Sequence, residues 1–194
     1  MSITRDIAFD AEKHLYRVDG VVWPGNTEIL RAEGFVDERW FNEEASAFGT
    51  AVHDCCAAND LGFLTSPTAD VAVRVDAWRA FLSENKVEIV QVEERVCHET
   101  LRYCGTLDRI VRIKGRLAVV DLKTGSRVPA TALQLAGYAM AWHEPLKRCA
   151  VYLGENGRYK LDEHTERSDY RIFENAATNY WWKREHGIYQ KEEA

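Results

Sequence analysis

The spacing of hydrophobic positions changes several times along the chain, and each change predicts an element. Residues 7–23 (IAFDAEKHLYRVDGVVW) alternate apolar with polar around turn-forming residues, which predicts a small N-terminal β hairpin over about 5–25. Thr27 is the expected N-cap of a short helix, TEILRAEG, closed by Gly34. From about Asn42 to Ala58, Phe48, Val52 and Cys55 recur at helical spacing, and over 70–84 Val71, Val75, Trp78 and Leu82 do the same. The period then shortens. Residues 87–97, 102–113 and 116–123 are rich in β-branched residues and predict three strands, the last two joined by Lys114-Gly115. Residues 129–142 return to a helical period with Pro129 near the first turn. A second hairpin is expected at 148–153 and 158–163, around Glu155-Asn156-Gly157. A last helix is expected over about 168–186, with Phe173, Ala177, Tyr180 and Trp181 inward. Helices, then strands, then helix and strands again predict an α/β (α+β) fold with a mixed central sheet flanked by helices, its core at about 42–164. With no repeat and no low-complexity linker, the 194 residues are expected to form a single domain.

Composition adds little and excludes some classes. Apolar content of 46% and charged content of 29% are ordinary for a globular chain. No apolar run approaches the ~20 residues a membrane helix needs, and MSITRDIAFD lacks a signal peptide's order, so a cytoplasmic protein is expected. Five cysteines without CxxC spacing (Cys55, Cys56, Cys97, Cys104, Cys149) are expected to be reduced and mostly buried. The net charge of −6 argues against a wholesale polyanion binder. Between Arg102 and Arg127, however, the bases Arg102, Arg109, Arg112, Lys114, Arg116, Lys123 and Arg127 meet only Asp108 and Asp121. That run gives either a local positive surface or a solvated hairpin.

The chemistry gathers in VVDLKTG (119–125), where an apolar strand ends in an aspartate, a spacer and a lysine. A two-residue turn at Lys114-Gly115 would place Asp108 opposite Asp121, with Cβ atoms about 4.5–5.5 Å apart, and alternation would put Lys123 on the same face as Asp121. Two carboxylates so placed repel each other, so neutralising either should leave the fold intact or slightly more stable. A hard divalent cation such as Mg²⁺ would compensate them. Lys123 beside it would orient a nucleophile or stabilise developing negative charge. The bland alternative is that Lys123 only neutralises a carboxylate on a solvated edge.

These stretches resemble the PD-(D/E)XK nuclease superfamily, in particular its RecB-like and phage-exonuclease-like branch. GTLDRI (105–110), VVDLKTG (119–125) and QLAGY (134–138) carry the likeness, with NTEIL (26–30) and GTAVH (49–53) upstream. The resemblance implies a restriction-endonuclease-like core in which Asp108 and Asp121 are the motif acids and Lys123 the motif lysine. The family proline is replaced by Leu107. It also implies His53 and the Leu122 carbonyl as metal ligands, with Glu93 as an additional acid, for which Glu94 is an equal candidate. Gln134 and Tyr138 match a QxxxY motif near metal and DNA, and Arg109 and Arg127, with Arg102 and Arg112, are candidates for phosphate contact. The aromatic-basic run 180–184 (YWWKR) suits either base stacking or, more simply, packing of the last helix.

In function, the resemblance implies a DNA nuclease dependent on Mg²⁺ or Mn²⁺, an exonuclease acting in recombination, repair or DNA-end processing, as in phage systems. Its partners would be duplex ends or single strands, and a recombination protein; a homo-oligomer is admitted but not required by any feature. A non-catalytic binding or nuclease-subunit protein of the same fold, and a DNA or RNA endonuclease using the same site, are the alternatives. No GxxxxGK[ST] is present, so ATP-driven movement would have to come from a partner.

Overall fold

The computed structural model describes residues 7–10, 13, 15–36 and 42–189. The expected hairpin at 5–25 therefore includes residues 5, 6, 11, 12 and 14, which lie outside the described residues. Three short antiparallel strands occupy this region: β1 (Ile7–Asp10), β2 (Leu15–Val18) and β3 (Val21–Trp23), in the order β1-β2-β3. The helix α1 (Asn26–Ala32) starts one residue before the expected cap. Gly25 is its N-cap, and the Glu28 carboxylate accepts the Gly25 amide at 3.1 Å, so the acid three residues in takes up the donor left free. The helices α2 (Glu43–Asp60) and α3 (Ala69–Glu84) precede the main sheet.

That sheet is built from β4 (Glu88–His98), β5 (Tyr103–Ile113), β6 (Arg116–Lys123), β7 (Lys147–Leu153) and β8 (Tyr159–His164), paired in sequence order. The helix α4 (Ala130–Ala141) carries the crossover between β6 and β7, the one parallel pair in the sheet, and α5 (Ser168–Glu185) follows β8. Lys114 and Gly115 both have positive φ (49° and 77°), as a two-residue turn whose twist matches the strands requires. Pairing accordingly runs from Ile113↔Arg116 to Arg109↔Val120.

Central strands covered on both faces explain why β5 and β6 read as nearly unbroken apolar runs. On one face Val111, Val120 and Leu122 pack with Val52, Trp78 and Phe81 of α2 and α3. On the other, Ile110 and Val119 pack with Leu135 and Tyr138 of α4. A separate cluster joins Ile29 and Leu30 of α1 to Leu133 and Ala136 of α4 and Phe173 and Ala177 of α5. The aromatic run of α5 divides in the same way. Tyr180 is buried, Trp181 donates Nε1–H to the Leu101 carbonyl at 3.0 Å, and Trp182 is exposed and stacks on His186.

The cysteines depart from expectation. Cys97 and Cys104 are directly opposed in the β4–β5 ladder, with Cα atoms 4.0 Å apart, and form a disulfide; Cys55, Cys56 and Cys149 are free thiols. A count and a search for CxxC cannot see a pair that only strand register brings together.

The α1–α4–α5 cluster depends on the absence of a side chain at Gly137. A Cβ there would stand 2.5 Å from Asn26 Nδ2 and 2.6 Å from Phe173 Cζ. Asn26 is held by its own bond to the Gln134 carbonyl (3.0 Å) and Phe173 is fully buried, so neither can yield cheaply. Alanine in mid-helix gains about 1 kcal/mol over glycine, whereas overpacking costs about 1–3 kcal/mol, and the upper end applies where neither neighbour yields. Gly137→Ala is therefore expected to lower the melting temperature by several degrees in calorimetry. An unchanged melting temperature would contradict this packing.

Candidate active site

The paired ladder between β5 and β6 ends at Arg109↔Val120, so Asp108 and Asp121 are the first positions beyond it. There the Asp108 carboxylate enters the hydrogen bonding of the strand pair, because Oδ2 accepts the Leu122 amide at 2.7 Å. Its other oxygen lies 3.5 Å from His53 Nδ1, and His53 Nε2 donates to the Leu122 carbonyl at 3.0 Å. One histidine on α2 thus spans the acid of β5 and the backbone of β6. The Leu122 carbonyl, expected to face a metal, is engaged by this histidine.

Glu93 joins them from β4. The register slips between Ile89 and Gln91, and Glu93 has φ of 51°, an uncommon conformation for a residue with a side chain. One ligand atom from each of His53, Glu93 and Asp108 lies within 4.8 Å of the others. Of the two candidates Glu93 and Glu94, Glu93 is the one whose carboxylate stands with His53 and Asp108. Asp121 stands outside that trio, only 2% exposed. Lys123 Nζ lies 2.7 Å from its Oδ2 as an ion pair. Lys123 also donates to Gln134 Oε1 at 3.0 Å. Gln134 is itself set by Tyr138, whose hydroxyl is 3.3 Å from Nε2, and by Thr27 at 3.5 Å. Tyr138 is buried, and its hydroxyl supports Gln134.

The electrostatics separate the two acids. Burial works against ionising Asp108, but His53, Lys123 and the Leu122 amide outweigh it and hold the carboxyl below its ordinary value. Burial, with the Asp108 charge, raises Asp121 despite Lys123. Chiefly through Asp108, and against its own burial, His53 is pushed up to about 9. It must give up that proton to act as a ligand. Burial opposes the charge on Lys123, yet Asp121 and then Asp108 prevail and hold the ammonium above its ordinary value.

Three of the expected phosphate contacts are placed elsewhere. Arg109 is fully buried: it donates to Asp60 (2.6 Å), to Glu93 (2.8 Å) and to the Asp108 carbonyl (2.6 Å), and lies over Trp78. It cannot touch a phosphate; it positions Glu93. Arg102 pairs with Glu185 and covers Trp181, and Arg112 pairs with Glu88 at the far end of the β5–β6 hairpin. Arg127 is exposed beside the site, paired with Asp162 and over Tyr152. Asp60, which anchors Arg109 and accepts from Trp78 Nε1 at 2.9 Å, was not anticipated, because no motif marks it.

The donor set suits a hard divalent cation. Two carboxylates and one imidazole converge, and the buried Asp121 carboxylate stands beside them, paired with Lys123. A mixed sheet whose parallel strand ends in Asp-x-Lys, beside a second acid and a helix histidine, defines a restriction-endonuclease-like fold with a nuclease-type site. Residues 64–186 match the sequence model of the PD-(D/E)XK nuclease superfamily, and the chain belongs to that superfamily. Its members are phosphodiester hydrolases that use divalent metals. His53 lies outside the matched segment and reaches the site through the fold alone.

Among solved structures, the chain is similar to LHK-Exo in complex with dAMP (12% identity, 86% of this chain and 89% of that one, TM-score 0.52). It also matches an alkaline exonuclease (LHK-Exo) from Laribacter hongkongensis (13% identity, 84% and 94% coverage, TM-score 0.47). At such identity the first likeness establishes the fold. A search of curated proteins finds none that matches. No helix among the described residues is long and apolar enough to cross a membrane.

Proposed function

We propose that the chain is a divalent-metal-dependent deoxyribonuclease, an exonuclease acting at DNA ends in recombination, repair or end processing. The observation that carries this reading is the placing of Lys123 between the Asp121 carboxylate and Gln134 Oε1, beside the His53–Glu93–Asp108 trio. His53, Glu93, Asp108 and Asp121 would hold Mg²⁺ or Mn²⁺. When bound, the cation activates water as a nucleophile and neutralises charge on the phosphate. Lys123 supplies a fixed ammonium at the reacting centre, able to donate to the incoming water or to a phosphate oxygen as negative charge builds. Held by Gln134, which Tyr138 and Thr27 hold in turn, it needs little reorganisation to do so. The fold shared with LHK-Exo, solved in complex with dAMP, supports an exonuclease over other nucleases.

The test compares end-labelled linear duplex DNA with a closed circle, in Mg²⁺, in Mn²⁺ and in EDTA, for the wild type and Asp121→Asn. Degradation of the linear form alone, lost in EDTA and in the variant, is the expected result. Cutting of both forms would make the protein an endonuclease with the same site. Cleavage that persists in EDTA would overturn the metal-dependent reading.

A further inference from the structure

We infer that the groove leading from the end of β6 to the β7–β8 turn binds the phosphate backbone of the nucleic-acid strand beyond the scissile bond, with Arg158 and Lys160 as its contact residues. The inference rests on the nuclease reading above. Lys123 pairs with Tyr152 across the parallel β6–β7 ladder, and Tyr152 pairs with Lys160 across β7–β8. Directly paired residues share a face, so these three form one row across the sheet, with the two lysine backbones about 10 Å apart at ordinary strand spacing. A cavity of about 770 Å³ follows this row, beginning at Thr124 and Gly125 next to Lys123 and lined by Arg127, Tyr152, Arg158 and Lys160.

The groove has a fixed shape. At its floor Arg74, which is buried, donates to the Leu153 carbonyl and to Glu155. The turn above is tight: the Gly154 amide donates to the Arg158 carbonyl at 2.7 Å, and a Cβ on Gly154 would stand 2.6 Å from that oxygen. Arg158 is therefore presented on a rigid turn. Among the described residues, four cations line the cavity against one carboxylate, Glu155, in a chain whose net charge is −6. Arg74 and Arg127 have acidic partners, but Arg158 and Lys160 are exposed and, among the described residues, their side chains have none. Unpaired cations in line with a fixed lysine match a ligand that carries one negative charge per repeat.

The test is the cleavage kinetics of the full chain on end-labelled DNA in Mg²⁺ over a series of KCl concentrations. Arg158→Ala/Lys160→Ala is expected to raise KM at least about tenfold, to leave kcat unchanged, and to reduce the slope of log(1/KM) against log[KCl] by about one per cation removed. Arg112→Ala/Lys114→Ala, which removes the same charge at the far end of the β5–β6 hairpin, is the control and should match the wild type. A groove variant with wild-type KM and slope, in a wild type that cleaves, would overturn this inference and leave the nuclease reading standing. So would a control variant that loses as much. A wild type that degrades no DNA would remove both.

Discussion

Asp108→Asn is expected to reduce DNA cleavage by at least about 10²–10³-fold and, unlike Asp121→Asn, to destabilise the fold. The chain's electrostatics distinguish the two acids. Asp108 is the acid whose charge the surroundings favour: its carboxylate accepts the Leu122 amide and faces a His53 that it keeps protonated. Asparagine retains an oxygen for the amide but loses the charge that faces His53, at a cost of about 1–3 kcal/mol. Asp121 is the acid that burial penalises, so asparagine there should be neutral or stabilising in the absence of metal. Nuclease assays and urea unfolding of both variants in EDTA would decide. A fully active Asp108→Asn would sink the site assignment, and equal stabilisation by both substitutions would show that simple repulsion governs the pair.

The second large effect is Arg109→Met, expected to cost about 3–5 kcal/mol and roughly 10 °C of melting temperature. The guanidinium and the Asp60 side chain it binds are both fully buried, and Arg109 Nε meets Asp60 Oδ2 at 2.6 Å. Without the arginine, Asp60 keeps, among the described residues, only the neutral donors Trp78 Nε1 and Asn59 Nδ2, an uncompensated charge in the core. The same substitution releases Glu93, so Mn²⁺ binding, followed by calorimetry at a temperature where the variant is folded, should weaken as well. Loss of stability without loss of metal affinity would separate Glu93 from the metal. An unaffected melting temperature would contradict the buried pair itself.

Most of the fold was legible because its elements announce themselves locally. The 116–123 strand, the Lys114-Gly115 turn and the last helix fall within a residue or so of where apolar spacing and turn chemistry place them. Register follows from a two-residue turn by counting, which is why the Asp108–Asp121 juxtaposition could be argued before any fold was known. What stayed hidden depends on contacts between distant segments. Arg109 looked like a surface base because its partner, Asp60, arrives from α2, 49 residues away. Lys160 drew no notice because only the parallel pairing of β6 with β7 brings it into line with Lys123. The Cys97–Cys104 bond was missed for the same reason at shorter range. The excess of bases in 102–127, by contrast, was real as composition but misleading as geometry, because a strand sends alternate residues to opposite faces and its two ends to different places.

The clamp between α1 and α5 bears on how this protein comes off the ribosome. Glu28 and Glu33 of the N-terminal segment are bound by Tyr180 and Lys183, about 150 residues later, and Tyr189 donates to the Ala32 carbonyl. During synthesis, Ile29 and Leu30 meet Leu133 and Ala136 of α4 first, while Glu28 and Glu33 wait for Tyr180 and Lys183, an interval of roughly 10–30 s at ordinary elongation rates. The α1 segment also brings Thr27 to Gln134, and through it to Lys123. Those contacts join α1, α4 and β6, all made before α5, so the nascent chain sets the surroundings of Lys123 first and the clamp to α5 closes over them last.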